Sequence, residues 1–96
     1  MTLLRIKIIG TEDTQQKMLM YNVKEALNQL GMEARIHTIT DWEDIMNTNI
    51  IQSPALVIRN QVIAQGFIPS VVELKKTIRA FIPDEQKQLE TPIFND

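Results

Sequence analysis

Asp13 and Gln16 stand three residues apart where a helical pattern begins. A helix start presents unpaired amides and about half a positive charge. A carboxylate there accepts from the third amide onward, and an amide side chain three residues on can reach back. Asp13-x-x-Gln16 therefore suits a reciprocal cap worth about 1 kcal/mol, which needs no ligand. Thiol chemistry is excluded outright, because the chain has no cysteine to serve as nucleophile, redox couple or soft metal ligand. Its single histidine, His37, has no partners for a zinc site. The acidic pairs Glu12-Asp13 and Glu43-Asp44 are shorter than the string of oxygen donors calcium requires, and read as solvated helix starts. No metal and no cofactor is expected.

The 96 residues suit one domain, with 44% apolar and 23% charged residues, a globular balance. A formal net charge of −2 lacks the basic excess of a nucleic-acid module. The longest apolar runs, Met18 to Tyr21 and Ala55 to Ile58, are four residues each, against about twenty for a membrane span. No secretory leader is visible, so a soluble cytoplasmic protein is expected, away from membranes and nucleic acids.

The elements that must position these groups follow from periodicity. Leu4, Ile6 and Ile8 alternate with Arg5 and Lys7, a strand stopped at Gly10. Leu19, Val23, Ala26, Leu27 and Leu30 lie on one face of a helix from Asp13 to Leu30, with Gly31 as left-handed cap. Met32 to Ile39 reads as a second strand. Thr40-Asp41-Trp42-Glu43 reads as a capping box opening a short helix with Trp42, Ile45 and Met46 inward and Asn49 as its stop. Ala55–Ile58 and Gln61–Ala64, split by Arg59-Asn60, form a hairpin. Ser70 caps a last helix carrying Val71, Val72, Leu74, Ile78 and Phe81, which Pro83 should end. The division is a domain over 1–82 and a tail over 83–96. In the tail, Leu89, Ile93 and Phe94 leave a short helix, a docking strip or disorder open. The order β-α-β-α-β-β-α is an α/β fold: a four-stranded mixed sheet with helices on both faces.

That order, with Ser53-Pro54 just before the third strand, resembles a minimal thioredoxin fold. Ile9-Gly10-Thr11, Tyr21 to Leu27, Thr40 to Met46 and Ser53-Pro54-Ala55-Leu56-Val57-Ile58 resemble the thioredoxin-like proteins called redox-active disulfide protein 2. The resemblance spans roughly Leu4 to Ala80. It implies a cis bond at Pro54 and a Cys-x-x-Cys opening the first helix, where this chain has Asp13-Thr14-Gln15-Gln16. Glu12, Asn49 and Asn60 stand where that family has glycine. The disulfide oxidoreductase activity does not carry over.

The resemblance brings Thr11, Glu12, Asp13, Thr14, Gln15 and Gln16 beside the Ser53-Pro54 loop. There the residue before the proline offers its backbone to an extended peptide or thiol ligand, a role that falls to Ser53. The plain alternatives are that Asp13 and Gln16 only cap, and that Pro54 only turns the chain. Trp42 is ordinarily core; exposed, it would suggest a partner surface. His37 reads as a surface histidine, and Met18, Met20, Met32 and Met46 as packing, with a Met-rich peptide groove the lesser option. The leading function is a redox-inactive peptide or protein binding module, not an enzyme in its own right. The alternatives are a carrier or enzyme using a small thiol such as glutathione, held by Thr11, Thr14 or Ser53, and a structural homo-oligomer.

Overall fold

Alternation in Leu4–Ile9 and the continuous apolar run Ala55–Ile58 place two strands at the centre of the sheet. The computed structural model describes residues 3–50 and 52–81. Its elements are β1 (Leu4–Ile9), α1 (Thr14–Leu30), β2 (Ala34–Ile39), α2 (Trp42–Met46), β3 (Ala55–Ile58), β4 (Gln61–Gln65) and α3 (Val71–Arg79). The strands form one mixed sheet in the order β2-β1-β3-β4. β1 runs parallel to β2, as an intervening helix requires, and antiparallel to β3, which folds back into β4. Arg59 (φ 51°) and Asn60 (φ 66°) are both left-handed, the two-residue turn whose twist matches a hairpin. Pro83 and the tail residues Leu89, Ile93 and Phe94 lie outside the described residues.

Strand alternation divides the core in two. Leu4, Ile6 and Ile8 of β1 and Leu56 and Ile58 of β3 pack with Leu19, Val23, Ala26 and Leu27 of α1 and Leu74 and Ile78 of α3. Ile9, Ala55 and Val57 point to the other face, where Ile39, Ile45 and Ile50 pack on them. Two long helices cover one face. The short α2 covers the second only through Ile45.

Four local expectations are corrected. Asp41, not Thr40, caps α2, and no side chain closes that cap. The first helical bond runs from Ile45 N–H to the Asp41 carbonyl, 2.9 Å, so the helix begins one residue later than the box requires. Asn47 (φ −83°) ends α2, and Asn49 is not among the left-handed residues. Trp42 and Met46 are 68% and 65% exposed, since the patch beneath α2 is small and Ile45 fills it. Val72 of α3 is also exposed, because Leu74 and Ile78 set that helix's inner face.

The complete capping box belongs to α3. Ser70 Oγ accepts from Glu73 N–H at 3.1 Å, and Glu73 Oε1 accepts from Ser70 N–H at 3.0 Å. Ser70→Ala leaves one of these donors to water and should cost about 1 kcal/mol in urea unfolding. An unchanged midpoint would remove the box from the stability of α3.

Candidate functional site

The turn from β1 into α1 begins at Gly10, whose N–H donates to the Ile39 carbonyl at 3.0 Å, tying the ends of β1 and β2 together. Glu12 follows with φ 63°, a left-handed conformation costly for a side chain without glycine's freedom. Asp13 is the N-cap of α1, and its Oδ1 accepts from Gln16 N–H at 2.9 Å. That half of the expected cap is present. The other half differs: Gln16 Oε1 accepts from the N–H of Glu12, not of Asp13. The left-handed residue presents its own amide to the side chain.

Gln16 is only 4% exposed. A Cβ on Gly10 would lie 3.2 Å from Gln16 Cδ and Oε1, so the amide fills the space over the glycine. The signal was in the spacing, since Gln16 lies three and seven residues before the buried Leu19 and Val23. Gln16 thus holds the turn from beneath, while Thr11, Glu12, Asp13, Thr14 and Gln15 are exposed above it.

Ser53 and Pro54 lead into β3. Their peptide bond is cis; Pro54 is buried and Ser53 exposed. The Pro54 carbonyl accepts from Gly66 N–H at 2.9 Å, and Gln52 N–H donates to Gln65 Oε1 at 3.2 Å. Gly66 has φ 82°, a left-handed conformation that favours glycine at this turn. Ala55 pairs with Ile9 in the ladder. The Ser53-Pro54 loop and the turn into α1 therefore leave adjacent strands at the same end of the sheet.

Two grooves open at that end beside β2. One of about 190 Å³ is lined by Glu12, Gln16, Lys17, Met20, Thr38 and Thr40. The second, about 480 Å³, lies between the end of β2 and α2, with His37, Asp41, Asp44 and Thr48 in its wall. Trp42 follows two residues after Thr40, which lines both. Among the described residues no three His, Asp or Glu side chains gather to hold a metal ion. No described helix is long and apolar enough to cross a membrane.

A thioredoxin domain family model matches residues 4–79. The chain is 30% identical over 77 residues to a thioredoxin of Methanocaldococcus jannaschii, covering 80% of this chain and 88% of that protein. It is 28% identical over 76 residues to a thioredoxin of Methanothermobacter thermautotrophicus, covering 79% of this chain and 99% of that protein.

Proposed function

The chain belongs to the thioredoxin domain family, and on that premise we propose that it is a redox-inactive member that binds an extended peptide or protein segment. Within the family we place it with the redox-active disulfide protein 2 type, supported by the runs Thr40 to Met46 and Ser53 to Ile58. With no cysteine, its own side chains exchange no disulfide. The surface offered to a partner is Thr11, Glu12, Asp13 and Thr14 at the α1 start, with Ser53 across from them. Gln16 and Pro54 support it from below.

The observation that carries this reading is Trp42, 68% exposed at the same end of the sheet. An aromatic of this size is usually buried, and its exposure beside a polar turn is the pattern of an interface anchor. Panning a random dodecapeptide library on the full chain tests it. Enriched peptides should shift the amide signals of Thr11 to Thr14 and Ser53 and bind about thirtyfold more weakly to Trp42→Ala, the loss of one aromatic anchor worth ~2 kcal/mol. An unenriched library, or shifts elsewhere, would sink the proposal.

The exposed hydroxyls of Thr11, Thr14 and Ser53 favour a second reading, a small thiol held through its sulfur. Calorimetric titration with millimolar glutathione separates the two, since the peptide module gives no heat with it.

A further inference from the structure

We infer that the outer edge of β2 is a docking strip for an extended partner segment of alternating acidic and apolar residues. β2 ends the sheet, and no described strand pairs with its outer side. Ile39 pairs with Ile9, and its carbonyl accepts from Gly10 N–H. In a parallel ladder, residues whose backbone groups face the neighbour alternate with those whose groups face away. Arg35, His37 and Ile39 therefore bond toward β1, while Ala34, Ile36 and Thr38 turn N–H and C=O outward. An edge of this kind is a template for an added strand.

The side chains state the chemistry of that strand. Arg35 and His37 are exposed on the face away from α1, level with Arg5 and Lys7 of β1. None of these four forms an ion pair with a described carboxylate. On the opposite face Ala34 and Ile36 pack against the core beside Met20, and the 190 Å³ groove opens between Met20 and Thr38. A strand laid on this edge thus meets cations on one face and apolar surface on the other, alternating residue by residue.

Charge selects the occupant. Arg35, with Arg5 and Lys7 of β1 behind it, outweighs the exposed Glu33 beside it at the strand's start, so this face carries a net positive charge. A Glu or Asp opposite Arg35 is favoured, with Arg5 behind it. Asp41 and Asp44 share a groove wall with His37, so the acidic complement is strongest at Arg35. β1 separates this strip from β3 and the Ser53-Pro54 loop, while Glu12 and Gln16 of the turn into α1 line the groove that the strip shares with the surface proposed above.

The test is nitrogen-15 chemical-shift mapping on the full chain with a capped hexapeptide of alternating Glu and Val. Shifts are expected at the amides of Ala34, Ile36 and Thr38, and not at Ser53, which lies beyond β1. Arg35→Glu, at an exposed position, should weaken binding about tenfold and admit the Lys-Val counterpart. Thr38→Pro removes an outward N–H but no bond to β1, and should weaken binding by a similar factor. Absence of shifts at millimolar peptide, equal binding of the Glu and Lys peptides, or shifts only at Ser53 and Thr11 to Thr14 would overturn the inference. So would a peptide-free dimer pairing through β2, or a spin label on Asn95→Cys that broadens Ile36 and identifies the chain's own tail as the occupant.

Discussion

Ile8→Ala should lower the unfolding free energy by about 3–4 kcal/mol, the largest stability loss expected from a single truncation here. Ile8 is 0% exposed and is the last residue but one of β1, level with Leu56 of β3. It points to the face where α1 and α3 pack, so neighbours on two strands and two helices would have to move to fill the void. They cannot all do so, and the cavity cost adds to the lost transfer energy. For a domain of this size the melting temperature should fall by roughly 15 °C or more. Val57→Ala gives the contrast. Val57 is 7% exposed and belongs to the smaller cluster under α2, so its loss should be about 1–2 kcal/mol. Equal losses in urea unfolding would contradict the unequal cover of the two sheet faces.

The double substitution Asp13→Cys/Gln16→Cys should convert a chain inert in insulin reduction into one that catalyses it with dithiothreitol as reductant. The two positions are the N-cap and third residue of α1, about 5 Å apart between Cα atoms by helix geometry, within disulfide reach. The helix start favours a thiolate at the exposed first position. The second takes the buried place of Gln16, as suits a resolving thiol. The substitution removes the Asp13 cap and the Gln16 bond to Glu12, so the reduced variant should be about 1–2 kcal/mol less stable than the parent. Either cysteine alone should leave the assay at background. A variant that forms the disulfide yet fails to turn over would separate this scaffold from the chemistry its family membership implies.

The long elements were legible in the sequence. Apolar spacing from Leu19 to Leu30, about three turns, identified α1, and Asp13 and Gly31 marked its ends, as N-cap and as a left-handed C-cap at φ 67°. Strand alternation fixed which β1 side chains enter the main core. The short elements were not legible. α2 has five residues, too few for periodicity to set its rotation, so Trp42 and Met46 could not be assigned to either face from spacing. Its N-cap shifted to Asp41 because the β2 ladder, through Gly10 and Ile39, holds the chain nearly to the point where the helix begins.

At the candidate site the division follows the same physics. Composition alone removed disulfide exchange, since no arrangement of a chain without sulfur pairs restores it. Residue type and spacing alone marked Asp13 as a cap, because that bond closes within four residues. The partner of the Gln16 side chain depended on the left-handed turn at Glu12, and the placing of that turn at the same end of the sheet as Ser53 depended on β1 lying against β3. The cationic group of Arg5, Lys7 and Arg35, with His37 beside it, likewise exists only once β2 pairs in register with β1. Bonds closed within one helical turn are written into neighbouring residues; those that need two strands side by side are settled by the packing of the whole chain.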